Sequence, residues 1–256
     1  MTSSSPTWLD QLVADAHKCV RRLGVLLDPQ DAPSGAERVE LLARIARSAA
    51  TDVLIGGSLV TDGDTEQLVR DAKDLLAQPV VLFPGSPSQV SPGADALLFL
   101  SLISGRNADL LIGRHVEAAP RVAALGLHTV PTGYMLLGDP PLTAAAYISH
   151  SLPIPLGKPD LAVATAQAGV MLGLRCLYLD AGSGAHVKIP ATTVQAIAQT
   201  VDVPIIVGGG MTCQEDLEEI WEAGATLAVV GSAIERNLSI LDTLYPIRAV
   251  KRNQLG

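Results

Sequence analysis

The sequence predicts a modified (β/α)8 TIM barrel, a single α/β domain in which one crossover helix is replaced by an extended proline-rich segment. Three observations carry this. Eight short apolar runs recur along the 256 residues, each too short for a helix and most opening into glycine or an acid. Segments with helical spacing lie between them, as in a parallel sheet. The runs are apolar at consecutive positions, as in strands covered on both faces, and they account for a mean hydropathy of +0.33. Eight such units close into a barrel. A doubly wound open sheet is the alternative, but its G-x-G-x-x-G fingerprint is absent.

Taken in order, residues 1–6 read as a tail and 7–22 as an extra N-terminal helix, with Leu9, Leu12, Val13, Ala16 and Val20 at helical spacing. The first strand, Leu23–Pro29, passes through Asp28. Ser34 and Glu37 form a capping-box pattern at the start of a helix running to about Thr51. The second strand is Val53–Ser58, followed by a helix over Asp64–Ala77, and the third strand is Val80–Gly85. The next ten residues, S-P-S-Q-V-S-P-G-A-D, hold two prolines and leave no room for a crossover helix before the fourth strand, Ala96–Ile103. Arg106-Asn107 opens a helical stretch to about Leu125. The fifth strand, Thr129–Leu137, contains a proline and a glycine that imply a bulge or bend.

Ala144–His150 leads into a stiff loop, S-L-P-I-P-L-G-K-P. Asp160 is the expected N-cap of a helix to Leu172. The sixth strand lies in Leu177–Ala185 and the seventh in Val203–Gly210. A helix then starts at Thr212, with Glu215 in the capping-box position. Leu227–Ala233 is the eighth strand, and Leu238–Arg252 reads as a final helix. Met135, Met171 and Cys176 read as core.

Composition excludes several classes. The net charge of −8 provides no basic field for nucleic acid. Three scattered cysteines without a C-x-x-C point to a reducing, cytoplasmic compartment. The N-terminus lacks the pattern of a signal peptide, and no apolar run is long enough to span a bilayer.

The chemistry is expected at the C-terminal ends of the strands. Three runs end in glycine: Y-L-D-A-G-S-G-A, V-P-I-I-V-G-G-G and L-A-V-V-G-S-A. Glycine lets backbone N–H groups approach an anion closely. Gly208, Gly209 and Gly210 with Gly231 and Ser232 therefore form a candidate phosphate corner; tight turns alone are the alternative. Asp28 and Ser58, on adjacent strands, offer hard oxygen ligands suited to Mg2+, although Asp28 alone also suits a turn cap. Asp180 is the candidate general base, its alternative being an Asx-turn. His186 and Lys188 are placed either at the anion or in a solvated loop. Nothing supports nucleophilic catalysis: H-E-x-x-H, G-x-S-x-G and a Cys–His pairing are all missing.

Nine motifs occur together and in order: L-L-D-P, L-I-G-G-S, V-L-F-P-G-S, F-L-S-L-I-S-G-R-N, P-T-G-Y-M-L-L, Y-I-S-H-S-L-P-I-P, Y-L-D-A-G-S-G-A, I-I-V-G-G-G-M and V-V-G-S-A-I-E. Over residues 20 to 240 the chain resembles the geranylgeranylglyceryl phosphate synthase family, which includes bacterial heptaprenylglyceryl phosphate synthases. The resemblance implies a prenyltransferase joining a long prenyl diphosphate, geranylgeranyl diphosphate being the expected donor, to sn-glycerol 1-phosphate. It implies Mg2+ on Asp28 and Ser58. The glycerol phosphate falls on Tyr178, Leu179, Asp180, Ala181, Gly182, Ser183, Gly184, Gly208, Gly209, Gly210, Gly231 and Ser232. Tyr178 and Asp180 take the catalytic positions, and Arg106, Asn107 and Tyr134 face the prenyl diphosphate. Leu, Val and Ile of the third and fourth strands would line a groove for the tail. The resemblance further implies a dimer or hexamer and transient membrane contact for a lipid product. Two departures stand out: Asp180 replaces a glutamate found in many members, and Gln30-Asp31 replaces an acid-lysine pair. An isomerase-type sugar-phosphate enzyme or a silent phosphate-binding scaffold remains open as an alternative.

Overall fold

Each strand is apolar on both faces because it faces two different cores. In β1 (Arg22–Leu27) Leu23, Val25 and Leu27 pack outward against helices, while Gly24 and Leu26 point into the barrel. The same alternation in β6 (Cys176–Asp180) sends Leu177 and Leu179 outward and Cys176 and Tyr178 inward. Asp180 therefore ends up on the inner face at the C-terminal rim. The computed structural model describes residues 5–185 and 187–245. With β2 (Asp52–Ile55), β3 (Val80–Leu82), β4 (Ala96–Leu102), β5 (Thr129–Leu136), β7 (Ile205–Gly208) and β8 (Leu227–Val230), the strands pair in parallel in sequence order, and β8 returns to β1. The closed (β/α)8 barrel is as expected.

The outer layer comprises α2 (Gly35–Arg47), α3 (Thr65–Leu75), α4 (Arg114–Leu125), α5 (Ala144–Ser149), α6 (Pro159–Met171), α7 (Ala191–Ala198), α8 (Gln214–Glu222) and α9 (Ser232–Arg236). Between β3 and β4 there is only a 3-10 turn, Pro87–Gln89. The expected loss of one crossover helix is thus observed, and α4 lies against that turn.

The N-terminal helix α1 (Trp8–His17) closes the bottom of the barrel. Trp8, Leu9 and Leu12 join the inner core with Leu54, Leu98 and Ile206. The helix is shorter than expected because Cys19 takes a left-handed conformation and Arg22 already belongs to β1. Trp8 Nε1 donates to Asp52 Oδ1 at 2.7 Å, and Arg22 Nε donates to Asp52 Oδ2 at 2.9 Å. Asp52 has no exposure at all, and Arg22 is 6% exposed. Removing one member of such a pair strands the other charge away from water. Asp52→Ala is expected to cost about 3–5 kcal/mol of stability, read as a lower denaturant midpoint; a cost under about 1 kcal/mol would show that this network does not hold the plug.

Several local expectations are corrected. Ser34 is the N-cap of α2 but makes no side-chain capping bond, so the Ser34–Glu37 box does not form. At α6 the N-cap is Lys158, not Asp160, because Pro159 takes the first helical position. At α8 Cys213 is the N-cap, and Asp216, not Glu215, accepts the N–H groups of Thr212 and Cys213. The β4–β5 register runs unbroken from Leu97–Thr129 to Leu102–Tyr134, so Pro131 and Gly133 produce no bulge. Pairing with β6 begins only at Thr132, so the N–H that Pro131 lacks is not missed. Met171 is 84% exposed, at the end of α6, whereas Met135 and Cys176 are buried as expected. Leu238–Asp242 is a 3-10 segment, and residues 246–252 of the expected final helix lie outside the described residues.

Candidate active site

A cavity of about 240 Å³ opens at the C-terminal rim. One side is glycine backbone. Gly209 has φ +87°, and a Cβ there would lie 3.0 Å from the backbone N and O of Gly182, so the β6 and β7 loops touch through it. Ser232 ties in the β8 loop: its Oγ lies 3.2 Å from Ser183 Oγ and accepts the Gly184 N–H at 3.2 Å. Ser183, Gly184, Gly209, Gly210, Gly231 and Ser232 all line the cavity. Leu179, Ala181, Gly182 and Gly208 do not; Leu179 faces the outer core, and the other three shape the loops behind the surface.

Asp180 is 7% exposed, yet it lines the cavity. Its Oδ1 accepts the Gly182 N–H at 2.8 Å, which is the Asx-turn, and its Oδ2 accepts the Tyr134 hydroxyl at 2.5 Å. The turn leaves room for a functional role, since each carboxylate oxygen keeps a free acceptor site. Burial raises the Asp180 pKa, and the two hydrogen bonds offset only part of that rise. Burial, followed by the Asp180 charge, holds the phenols of Tyr134 and Tyr178 well above their ordinary value, so both remain protonated.

Asp28 sits across the mouth. A Cβ on Gly57 would fall 2.1 Å from Asp28 Oδ2, so only glycine lets the β2 loop close over this carboxylate. Asp28 Oδ1 accepts the Gln30 N–H at 3.0 Å. Burial and the neighbouring Asp31 raise its pKa. The pKa of Glu235 is raised by burial, then by Asp31 and Asp28. Among the described residues no basic side chain pairs with Asp28. No group of three His, Cys, Asp or Glu among those residues is arranged to hold a metal ion.

Three parts of the site were not visible in the sequence. Gln89, in the turn that replaces the missing helix, accepts the N–H groups of Gly57 and Gly85 and donates to the Gly57 carbonyl at 2.8 Å. Gln30 Oε1 accepts from the N–H of Thr61 and of Asp62 and from the Thr61 hydroxyl, anchoring the β1 loop to the β2 loop. Among the described residues, Arg114 and Arg236 are the arginine or lysine side chains that line the cavity. Arg106, expected at the donor, turns back to the carbonyls of Ile103 and Gly105, and Asn107 caps the Asp109 N–H; neither lines the cavity. Lys188 does not line the cavity; it lies in the partly exposed loop after β6, held at 2.6 Å by both Asp216 and Glu219. Burial pushes Asp216 up, but its bonds to Lys188 and Thr212 outweigh this and hold it at about 2. His186 lies outside the described residues.

The cavity runs from this polar mouth into an apolar groove where the helix is missing. Val90, Leu97, Phe99, Leu102 and Ala118 line it. That opening defines the class of the molecule: a (β/α)8 barrel with a glycine-lined mouth at the C-terminal end of the sheet and an apolar groove where a crossover helix would stand. Residues 19–250 match the model of the PcrB family, and the chain belongs to that family. A geranylgeranylglyceryl phosphate synthase from Spirosoma linguale is 46% identical over 227 residues, 89% of this chain and 91% of that protein. The enzyme of the same name from Pyrococcus furiosus is 37% identical over 89% of this chain and 90% of that protein. The crystal structure of (S)-3-O-geranylgeranylglyceryl phosphate synthase from Thermoplasma acidophilum, in complex with its substrate sn-glycerol-1-phosphate, superposes with a TM-score of 0.85 at 28% identity, covering 94% of this chain and 96% of that one.

Proposed function

We propose that the chain is a prenyltransferase that joins a prenyl diphosphate, geranylgeranyl diphosphate in the first instance, to sn-glycerol 1-phosphate, forming an ether and releasing diphosphate. One observation carries this reading: a glycine corner, a buried acid, an isolated carboxylate and an apolar groove share one cavity. The glycine corner and Ser232 hold the glycerol phosphate. That grip places its free hydroxyl beside Asp180, and a held nucleophile reacts far faster than a free one. Asp180 takes the hydroxyl proton, with Tyr134 and the Gly182 N–H fixing its orientation. The diphosphate lies towards Asp28 and Ser58, and Arg236 is the cationic side chain assigned to it.

Asp28 and Ser58 suit Mg2+ as a donor set: one carboxylate without a cationic partner and one hydroxyl, with substrate oxygens and water filling the remaining positions. When bound, the ion neutralises charge that builds on the leaving diphosphate. The prenyl tail lies in the groove beside β4. Three free cysteines support a cytoplasmic setting. Among the described residues no helix is long and apolar enough to cross a membrane. Exposed Leu142, Tyr147 and Ile148, the last of which lines the cavity, suit transient contact with a membrane as product leaves. Exposed Met171 and Leu172 suit self-association into the expected dimer or hexamer.

The test is incubation of the protein with labelled sn-glycerol 1-phosphate and prenyl diphosphates of increasing length. Lipid-soluble product, abolished by chelation and restored by Mg2+, is expected. Tight binding of glycerol phosphate without product from any donor would leave a phosphate-binding scaffold instead.

A further inference from the structure

Aromatic residues are scarce in this chain, with two Phe, four Tyr and two Trp. Three of them, Phe83, Tyr134 and Tyr178, meet at the cavity mouth. Phe83 and Tyr178 are stacked, with centroids 4.6 Å apart and planes 8° from parallel. Tyr134 stands 5.7 Å from each, at 72° and 65°. Because it is equidistant from both rings, Tyr134 lies beside the stack and covers neither outer face. The outer face of Tyr178 is shut off by the core, as the residue is 1% exposed. Phe83 is only partly buried and lines the cavity. The open π face of the trio therefore belongs to Phe83.

Its position follows from the backbone. Phe83 N–H donates to the Ile55 carbonyl at 2.8 Å, and a Cβ on Gly56 would lie 1.8 Å from the Phe83 carbonyl oxygen. That packing seats the ring next to the β2 loop, which closes over Asp28. On its other side Tyr134 hydrogen-bonds Asp180. Phe83 thus stands between the carboxylate assigned to the leaving group and the carboxylate assigned to the proton.

We propose that Phe83 is a catalytic residue whose π face, backed by Tyr178 and flanked by Tyr134, stabilises the allylic cation that develops on the donor. This rests on the prenyl-transfer reading above. The allylic C–O bond breaks with its electron pair going to diphosphate. The resulting carbon carries positive charge until the glycerol oxygen bonds to it and the proton passes to Asp180. A cation within about 6 Å of a ring centroid is attracted by the ring's negative face, most strongly where water is excluded.

The test keeps the ring and changes only its electrons. Phe83 is replaced by 4-fluoro-, 3,5-difluoro- and 3,4,5-trifluorophenylalanine, and single-turnover rates are measured alongside glycerol phosphate affinity and Tm. Each fluorine should lower the rate, reaching on the order of tenfold for the trifluoro ring, while affinity holds. Fluorine draws charge from the ring and strengthens its stack on Tyr178, so a purely structural role predicts an unchanged rate and a steady or higher Tm. A flat rate series in an enzyme that makes product would overturn the proposal alone. Absence of product from the unsubstituted enzyme would overturn the prenyl-transfer reading and this inference with it.

Discussion

Asp180→Asn is expected to lower kcat by about 10³-fold while leaving sn-glycerol 1-phosphate affinity unchanged. Asparagine is nearly isosteric: its Oδ1 can still accept the Gly182 N–H while its amide N–H donates to the Tyr134 hydroxyl oxygen, so both contacts that place the side chain are kept. What it cannot do is take a proton. The pH profile gives an independent reading. Burial raises the Asp180 pKa, so the base form grows in only as pH passes a value above the ordinary carboxyl range, and kcat should rise through it. Stability moves the opposite way. With the folded pKa above the unfolded one, the native state binds the proton more tightly, and native stability is lost as pH rises from the unfolded value to the folded one. Above both, the full cost of burying the charge remains. Asp180→Asn removes that cost, so at neutral pH it should melt higher than the parent while turning over far more slowly. Unchanged turnover would remove Asp180 from the mechanism, and a lower Tm would mean that the buried charge is not the burden its surroundings indicate.

The second large effect is expected at the opposite side of the mouth. Asp28→Asn should reduce turnover by about 10²–10³-fold, the loss that follows when a metal-held leaving group is left unneutralised. Oδ1 would still accept the Gln30 N–H, and the side chain would still fit against Gly57. Removing one charge from the Asp28, Asp31 and Glu235 neighbourhood relieves like-charge repulsion, so folding should not suffer. The signature is a Mg2+ titration displaced to higher concentration, with glycerol phosphate affinity retained. An unchanged Mg2+ midpoint would place the ion elsewhere.

The strands were readable because burial on both faces writes itself as consecutive apolar residues, and their glycine endings marked the corner proposed for phosphate. The missing helix was equally plain, since Pro87 and Pro92 leave no room for one. Helix starts were less so. A shift of one residue decides whether Glu215 or Asp216 meets the free N–H groups, and composition does not resolve a single position. The contacts that organise the site were invisible. Tyr134 and Asp180 lie 46 residues apart, and Gln89 reaches Gly57 across 32. The bonds of Arg106 to its own loop carbonyls were equally hidden, because they depend on a backbone path that no local pattern specifies.

Because the β3–β4 connection is a short turn, the cavity continues past the rim into an apolar groove beside β4. In the proposed reaction, hydrocarbon lying along β4 would run away from the reacting carbon into that groove. The polar end of the molecule therefore need not change when the tail does. Lengthening or shortening the proposed donor would then alter what lies in the groove, while the acid, the rings and the glycine corner would meet the same allylic headpiece every time.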